Sequence, residues 1–306
     1  MELRHLRYFI AVAEELHFGR AAARLNMSQP PLSQQIAALE RDLGVQLLER
    51  NGRRVSLTDA GRLVLREARA TMEQAARARL VAQRAQAGEV GELRIGLFPS
   101  APLSAAFADA TGAFRRECPD VTLTLRDQPT PEQIDQLLRG RLEFGFLRSP
   151  GPPKLPPELE AMEVVREPLC VVLAPDHPLA AGRGPLPVAA LAGESFVFFA
   201  RTVGSSLNDQ LHAICMEAGF VPRITQEATA NSVILGLVSA GLGISVLPAV
   251  LCALRPGRVR IRRLAARGAT TAIWLAWRRD RVGPLTERFV AQFRRAGLRI
   301  EEPPED

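Results

Sequence analysis

Residues 18–44 read FGRAAARLNMSQPPLSQQIAALERDLG, and this stretch predicts two short helices joined by a tight turn. Its first part, residues 19–25, is rich in alanine, which suits a helix that another helix approaches closely. Asn26 tolerates the left-handed backbone of a turn. Ser28 is a favourable N-cap before two prolines that only a first helical turn accepts, so we expect the second helix to begin there.

The second helix combines an apolar stripe with an outward polar face. Leucine and isoleucine recur at spacings of four, three and four, and predict a buried stripe of Leu32, Ile36, Leu39 and Leu43. Small hydroxyls and amides gather at its N-terminal end, at Ser28, Gln29, Ser33 and Gln34. In a recognition helix this end contacts the edges of the DNA bases. There Gln pairs with adenine, and Ser can form a hydrogen bond with more than one kind of base. The alternative is an ordinary solvated face on a core helix.

The stretch from Leu3 to about Thr58 resembles the N-terminal domain of LysR-type transcriptional regulators. The family pattern SQPxLSxQIxxLExxLGxxLFxR is matched by Ser28, Gln29, Pro30, Leu32, Ser33, Gln35, Ile36, Leu39, Glu40, Leu43, Gly44, Leu47 and Arg50. Leu48 stands where the family usually has Phe. The resemblance implies a winged helix-turn-helix that contacts promoter DNA through Ser28, Gln29, Pro30, Pro31, Ser33 and Gln34.

Asn51 and Gly52 lie between two short apolar runs and predict a β-hairpin with a two-residue turn, the wing. Three arginines, Arg50, Arg53 and Arg54, crowd this hairpin, where guanidinium groups reach phosphates or a minor groove. We therefore expect Arg53 and Arg54 to contact phosphates. Solvated surface charge is the alternative.

Thr58 predicts the N-cap of a helix that continues to about Ala87 without a proline and is about 45 Å long. A seam of apolar residues runs along it at Leu65, Ala68, Met72, Ala76 and Leu80. Such a seam fits a partner helix, although a helix lying on its own domain gives the same pattern. The resemblance implies dimerisation through this helix. Two recognition helices that read the two half-sites of a pseudo-palindrome require a protein with two-fold symmetry. It further implies a tetramer, built as a dimer of dimers.

Composition favours a folded chain with a basic N-terminal part. The 306 residues are 47% hydrophobic and 24% charged, which suits two or three globular domains. Residues 1–87 hold 14 arginines and 9 acidic residues, so +5 of the net charge of +6 lies there. We find no signal peptide, lipidation motif or apolar run of about 18 residues, so we expect a soluble, cytoplasmic protein with no membrane partner.

Beyond the long helix, strands and helices alternate. Strands are predicted at residues 93–98 (LRIGLF), 121–126 and 144–147, with a helix at 131–138 and a Pro-rich loop at 150–157. A second set follows, with strands at 169–174, 195–199 and 243–247 and helices at 205–218 and 232–240. A strand at 272–277 and a helix at 285–296 return to the first set. This alternation predicts parallel βαβ units with ligands beyond the carboxyl ends of the strands.

The expected fold class is α/β, in three parts. Residues 1–58 form a winged helix-turn-helix, 59–87 a dimerisation helix, and 88–306 an effector-binding domain. The resemblance implies that this last domain has two lobes and is similar to periplasmic binding proteins. Lobe I takes in about 92–163 and 270–306, and lobe II about 164–269, with Gly88 and Gly91 as a hinge before them.

Three polar residues follow strands at one predicted sheet edge. Ser100, after Pro99, and Thr130, before Pro131, are each predicted to open a helix, where a hydroxyl and free amides accept an anion. Arg148 follows the third strand and offers a bidentate grip on a carboxylate. We expect a small carboxylate effector here. The alternatives are two ordinary N-caps and a surface arginine, or an Arg148 that serves a second cavity.

The resemblance strengthens this interpretation. Regulators of the family that respond to aromatic acids and muconates bind carboxylates at residues matching Ser100, in LRIGLFPS, and Thr130, in TPEQ. It also implies an opposite wall formed by Phe199, Arg201 and Thr202 in VFFARTVG. The segments EPLCVVLAPDHPLA and IWLAWRRD resemble regulators of aromatic-acid degradation, which suggests an aromatic or dicarboxylic effector. RNA polymerase is a candidate further partner.

The four cysteines are widely spaced and form no CxxC motif: Cys118, Cys170, Cys215 and Cys252. Their spacing argues against a zinc site and a disulfide scaffold, so we expect inert buried thiols. Some LysR-type regulators sense peroxide through a cysteine pair, and redox sensing through Cys215 and Cys252 is therefore the main alternative to a bound effector.

No catalytic pattern is present in the sequence. The four histidines form no HxxxH motif, and no phosphate-binding GxxxxGK[ST] occurs. We expect no enzyme, no catalytic residue, no metal and no cofactor. One rival is a small-molecule binding protein or enzyme with an incidental basic N-terminus. Another is an architectural DNA-binding protein, which would need no two-lobed domain.

Overall fold

The computed structural model describes residues 1–51, 54–182, 184–203, 206–252, 254 and 259–302. The chain forms two compact units, Met1–Arg84 and Ala85–Asp306. In the described part of the chain, no helix has both the length and the apolar character needed to cross a membrane.

Three helices form the core of the first unit: α1 (Leu3–Glu15), α2 (Phe18–Arg24) and α3 (Gln29–Leu43). The alanine-rich face of α2 is buried at Ala21 and Ala22, which lets α1 and α3 approach closely. Asn26, between α2 and α3, has a φ of 52°, as its tolerance of left-handed backbone predicted. The helix-turn-helix predicted from residues 18–44 is therefore confirmed.

Two details of α3 differ from the prediction. The stripe of Leu32, Ile36 and Leu39 is buried, but Leu43 is 37% exposed because the helix ends there, before Gly44 in the left-handed conformation. Ser28 is the N-cap, but its hydroxyl makes no capping bond within the described structure. A capping hydroxyl accepts from the second or third helical N–H, and here both positions are prolines, which have none.

The wing is a hairpin of β1 (Leu48–Asn51) and β2 (Arg54–Leu57). Asn51 pairs with Arg54 in the antiparallel register, so the two-residue connection is as predicted; Gly52 and Arg53 lie outside the described residues. The carboxylate of Glu40, on α3, accepts from the amides of Leu47 and Leu48 at 2.9 and 3.1 Å. Helix α3 therefore holds the start of the first wing strand directly.

The long helix α4 (Asp59–Gln86) begins as predicted, with the Thr58 hydroxyl accepting from the Gly61 amide at 2.8 Å. Its first half belongs to the core of its own unit, because Ala68 is buried and Leu65 and Met72 pack against the α1–α3 core. For this half of the seam, the alternative of a helix lying on its own domain is correct. The second half exposes Leu80, at 54%.

The second unit begins with parallel β/α structure. Its first elements are β3 (Val90–Leu97), α5 (Ala105–Glu117), β4 (Asp120–Asp127), α6 (Thr130–Leu138) and β5 (Phe144–Ser149). Strand β3 lies between β4 and β5 and is parallel to both, so the predicted βαβ arrangement is confirmed. A helix was predicted to open at Ser100, and α5 begins five residues later, at Ala105.

Strand β6 (Leu159–Leu173) is much longer than the predicted strand at 169–174. Residues 159–168 pair with β12 (Thr270–Arg278), whereas residues 169–173 pair with other strands. The change of partner after Pro168 separates lobe I, residues 90–168 and 270–302, from lobe II, residues 169–269. Lobe I is completed by α10 (Pro284–Ala296) and β13 (Arg299–Ile300).

Lobe II is built on the end of β6. Its strands are β7 (Leu186–Pro187), β8 (Ser195–Phe199), β9 (Arg223–Ala228), β10 (Ser245–Pro248) and β11 (Arg260–Ala265). Its helices are α7 (Ser206–Glu217), α8 (Asn231–Ser239) and α9 (Ala249–Cys252). Strands β10 and β11 pair with opposite edges of β6, and β8 joins this sheet through a bridge from Phe196 to Ile244. The predicted α/β class, with a helix-turn-helix and a two-lobed second domain, is confirmed.

Candidate functional sites

The N-terminal end of α3 presents a polar surface. Ser28, Gln29, Pro30 and Gln34 are exposed, while Pro31 and Ser33 are half-buried. The first amides of a helix have no intrahelical partner and carry a partial positive charge, which attracts phosphate. Because Pro30 and Pro31 have no N–H, this end of α3 offers few free amides, and its polar side chains make up most of the surface.

The wing arginines differ in their surroundings. Arg54, on β2, is exposed, and Arg53 lies outside the described residues. Arg50 points back at its own unit: its Nη1 donates to the Ser33 Oγ at 3.3 Å, and its guanidinium carbon lies 4.9 Å from the centre of the Phe18 ring. Arg50 is therefore engaged with the helix-turn-helix.

A cavity of about 660 Å³ lies between the two lobes of the second unit. Its apolar wall is formed by Phe98, Leu103, Phe199, Leu207, Leu251 and Leu254. Its polar wall includes one acidic and one basic residue, Asp127 and Arg148, together with Ser100, Gln128, Thr130, Ser206, Thr229, Asn231 and Ser232. The volume and the mixture of apolar wall and few polar groups are typical of a site for a small organic molecule.

Three α-helices begin at this cavity. Thr130, Ser206 and Asn231 are the first residues of α6, α7 and α8, and all three line the cavity. The N-terminus of each helix carries a partial positive charge of about half a unit. The cavity is therefore suited to an anion even before its charged side chains are considered.

The structure corrects the predicted role of Ser100 and agrees with the predicted helix start at Thr130. Ser100 precedes a single 3-10 turn, Ala101–Leu103, and Ser104 is the residue that caps α5, accepting from the Phe107 amide at 3.3 Å. The 3-10 turn lies between β3 and α5, so the α-helix begins at Ala105. Thr130 is the first residue of α6, and Pro129 is its N-cap. Both hydroxyls nevertheless line the cavity.

Arg148 lies within β5 rather than after it, and it is buried. Its Nη1 donates to Glu167 Oε1 at 2.7 Å, and its Nη2 lies 3.5 Å from the Ser100 Oγ. The other Glu167 oxygen accepts from the Val250 amide at the start of α9, at 2.8 Å. Arg148 therefore belongs to a hydrogen-bond network at the cavity wall. The network links Ser100, strand β6, which runs from lobe I into lobe II, and the start of α9 in lobe II.

The predicted opposite wall is only partly present. Phe199 lines the cavity, whereas Arg201 and Thr202 are exposed in a 3-10 turn and are not among its described lining residues. The helix predicted from Ser205 is described from Ser206 onward, and Ser205 itself lies outside the described residues.

Sequence reasoning missed seven polar residues of the site: Asp127, Gln128, Glu167, Ser206, Thr229, Asn231 and Ser232. Ser206, Asn231 and Ser232 repeat the signal used for Thr130, a small polar residue at a predicted helix start. Glu167 is one of the charged residues in the otherwise apolar run VVREPLCVVLA, and a charge inside a buried strand requires a partner.

The four cysteines are free and buried. Burial raises the pKa of the Cys215 thiol to about 11. A hydrogen bond with Cys170 and burial raise the pKa of Cys252 well above its ordinary value, so its neighbour is Cys170 rather than the expected Cys215. Reactive sensor cysteines have lowered pKa values and solvent access, so these surroundings do not favour redox sensing through Cys215 and Cys252.

Comparison with known proteins identifies both units. Residues 3–62 match the bacterial regulatory helix-turn-helix protein, lysR family, and residues 86–297 match the LysR substrate binding domain. The chain is 47% identical to the HTH-type transcriptional regulator YnfL of Escherichia coli K12 over 277 residues, which covers 90% of this chain and 92% of YnfL.

Two further relatives agree. The Hca operon transcriptional activator HcaR of Escherichia coli K12 is 38% identical over 291 residues, covering 95% of this chain and 96% of HcaR. The crystal structure of full-length CbnR complexed with its target DNA has a TM-score of 0.82 and 32% identity, covering 97% of this chain and 99% of CbnR. These relatives are regulators rather than enzymes. The chain belongs to the LysR family of bacterial transcriptional regulators, with an N-terminal DNA-binding domain and a C-terminal effector-binding domain.

Proposed function

We propose that this regulator controls transcription in response to a small organic carboxylate bound between its two lobes. The observation that carries the proposal is the convergence of three α-helix N-termini on a cavity of about 660 Å³ with apolar walls. Helix starts favour an anion, and the apolar wall favours a hydrophobic body attached to it.

The cavity wall supports an aromatic effector in particular. Phe98 and Phe199 contribute rings to the cavity, and the leucines around them have no polar group to satisfy. Ser100, Thr130 and Arg148 would hold the carboxylate. The positive charge of Arg148 is largely balanced by Glu167 at 2.7 Å, so the hydroxyls and helix starts, rather than net charge, would supply most of the attraction.

Effector binding would act by shifting the relative stability of two lobe arrangements. The Ser206 hydroxyl, in lobe II, donates to the Arg148 carbonyl of lobe I at 2.9 Å, and Glu167 of lobe I accepts from Val250 of lobe II. A ligand that contacts Ser206 and Arg148 together binds the closed arrangement better than the open one. Only such a difference in affinity can change the assembly on DNA.

Promoter recognition is proposed to lie on α3 and the wing. Gln29, Ser33 and Gln34 would read base edges, with Ser28, Pro30 and Pro31 packed against the DNA backbone. Arg53 and Arg54 would contact phosphates. The exposure of the α3 N-terminal surface and of Arg54 supports this assignment.

Self-association is proposed to use the second half of α4, where Leu80 and Val81 are 54% and 57% exposed. We propose a dimer through this helix and a tetramer as a dimer of dimers, with RNA polymerase as a further partner. The proposed boundaries remain 1–58 for DNA binding, 59–87 for dimerisation and 88–306 for the effector. Promoter binding also implies work in the cytoplasm.

Thermal unfolding of the full-length chain tests the effector class. The panel contains benzoates, phenylpropionates, muconates and simple aliphatic carboxylates. A ligand at about 100 times its dissociation constant stabilises its domain by roughly 2.7 kcal/mol. We expect one aromatic carboxylate to raise the unfolding temperature of the wild type and of the control Thr122→Ala, whose threonine is exposed on β4, but not of Thr130→Ala. An equal rise in Thr130→Ala would contradict the assignment.

Selection of duplexes from a random-sequence pool tests DNA readout. We expect the wild type to enrich a sequence with two related half-sites, and Gln29→Ala to lose preference at one base pair of each half-site, at a cost of about 1–3 kcal/mol. Gln74→Ala, an exposed glutamine on α4, serves as the control. A wild type that binds every duplex equally would contradict sequence-specific regulation.

A further inference from the structure

We infer that Arg50 is a positioning residue that fixes the Ser33 hydroxyl as a hydrogen-bond donor toward DNA. The inference rests on the proposed contact between Ser33 and DNA and adds a second residue to it. Arg50 lies in the wing strand β1, and Ser33 lies on the recognition helix α3, 17 positions earlier in the chain. Their contact joins the two elements that flank the proposed DNA surface.

The chemistry of the contact sets the direction of the hydroxyl. A guanidinium group has five N–H donors and no acceptor, so in the 3.3 Å bond from Arg50 Nη1 the Ser33 oxygen must accept. With its oxygen turned toward a positive charge, the hydroxyl directs its hydrogen away from Arg50. Ser33 is then prepared to donate to an acceptor atom, which on DNA is a phosphate oxygen or, in the major groove, a guanine O6 or N7, an adenine N7 or a thymine O4.

Besides the bond to Ser33, two further contacts hold the guanidinium in this place. Its carbon lies 4.9 Å from the centre of the Phe18 ring, on α2, where a cation is attracted by the face of the ring. Its Nη2 lies 3.9 Å from Glu40 Oε2, and the other Glu40 oxygen accepts from the first wing amides at 2.9 and 3.1 Å. Arg50 is thus tied to α2, α3 and the wing together.

These ties separate Arg50 from an ordinary phosphate contact. Arg54, on the neighbouring strand, is exposed and suits direct contact with the DNA backbone. The Arg50 side chain is also 44% exposed, but one of its N–H groups donates to Ser33 and its guanidinium carbon lies near the Phe18 ring. A lysine at this position keeps the charge but cannot provide the planar fork, so the pair depends on arginine itself.

A double-mutant cycle on DNA binding tests the inference. The full-length wild type, Arg50→Met, Ser33→Ala and the double variant bind a duplex that the wild type has selected from a random-sequence pool. We expect Arg50→Met to weaken binding by about fivefold in the wild type and by less than about twofold when Ser33 is already alanine. Arg4→Met is the control, because Arg4 pairs with Glu2 on α1. If the fold loss in DNA affinity of the double variant equals the product of the losses in the two single variants, the inference is wrong.

The salt dependence of binding separates positioning from direct contact. A lost phosphate contact lowers the slope of log affinity against log salt concentration by about 0.9. We expect Arg50→Met to leave this slope unchanged, and a fall of about 0.9 would overturn the inference. Arg50→Lys should behave like Arg50→Met, whereas full affinity in Arg50→Lys would show that charge alone matters. If Arg50→Met unfolds, Arg50→Lys takes its place in the same cycle.

The Ser33→Ala variant distinguishes failure of the inference from failure of the proposed DNA contact. If it binds as tightly as the wild type, Ser33 does not contact DNA and the proposed readout is wrong. If it binds weakly but without coupling to Arg50, only the inference is wrong. Repeating the selection with Ser33→Ala identifies the acceptor: preference lost at one base pair indicates a base edge, and weaker binding with unchanged preferences indicates a phosphate.

Discussion

The guanidinium of Arg148 and the carboxylate of Glu167 form a buried ion pair in the wall of the cavity. Their closest atoms, Nη1 and Oε1, are 2.7 Å apart, and the two side chains are 6% and 0% exposed. The second Glu167 oxygen accepts from the Val250 amide. Because both charges have left water, each depends on the other, and the effector site and the stability of the lobes depend on the same pair.

We predict that Glu167→Ala destabilises the second unit by about 3–5 kcal/mol, since it leaves the Arg148 charge buried without its partner. The double variant Arg148→Met, Glu167→Leu should recover most of this loss. Glu160→Ala, which removes an exposed pair with Arg279, should cost less than about 1 kcal/mol. Scanning calorimetry of the full-length chain measures all three, and equal costs for Glu167→Ala and Glu160→Ala would contradict the prediction.

Gly61, in the first turn of α4, is required by its contact with the chain before the wing. A Cβ on Gly61 would lie 2.0 Å from the Leu47 carbonyl oxygen, so the helix or the backbone of residue 47 must move. We expect Gly61→Ala to destabilise the first unit by about 1–3 kcal/mol despite the better helix propensity of alanine. Gly112→Ala, on α5, meets only ordinary contacts and should be neutral or stabilising. Urea unfolding followed by circular dichroism compares the two.

Ser104 and Ser100 separate helix capping from ligand binding. The Ser104 hydroxyl accepts from the Phe107 amide, so Ser104→Ala should lower the free energy of unfolding by about 1 kcal/mol. Ser100→Ala should cost less stability, because Ser100 does not cap α5, but it should weaken binding of the carboxylate identified by the panel. Denaturant unfolding and ligand titration of both variants check this division. A larger loss of stability in Ser100→Ala would contradict it.

Cys215 should make stability fall at alkaline pH. Burial raises the pKa of this thiol from 9.0 to about 11. Between these values the unfolded chain has lost the proton while the folded chain keeps it, so the free energy of unfolding decreases as pH rises above about 9. We expect Cys215→Ala to show a shallower decrease over this interval, measured by urea unfolding under reducing conditions. Parallel curves for the two proteins would rule out this role for the thiol.

Leu80 tests the proposed dimer. It is 54% exposed on the second half of α4, where a partner helix would cover it. We expect Leu80→Asp to convert the dimer to a monomer, because an unpaired carboxylate cannot be buried at a helix interface. Light scattering after size-exclusion chromatography measures the mass, with Gln74→Asp as the control on the same helix. If Leu80→Asp keeps the mass of the wild-type protein, this seam is not the dimer interface.

Sequence alone determined the elements whose signals are local. The stripe of Leu32, Ile36 and Leu39, the left-handed Asn26 and the paired Asn51 and Arg54 all follow from patterns within a few residues. Such patterns report helix period and turn geometry directly. Most strands and helices of the second unit, and the presence of Ser100 and Thr130 at one cavity, were predicted on this basis and by resemblance.

Only the tertiary structure decided which side chains meet. Arg148 and Glu167 are 19 positions apart, Glu167 and Val250 are 83 apart, and Arg50 and Ser33 are 17 apart, so no local period relates them. The same holds for β6, whose first ten residues are strand because β12 lies beside them. Local backbone preferences determine where an element forms, whereas the partner of a buried charge is determined by how the elements pack.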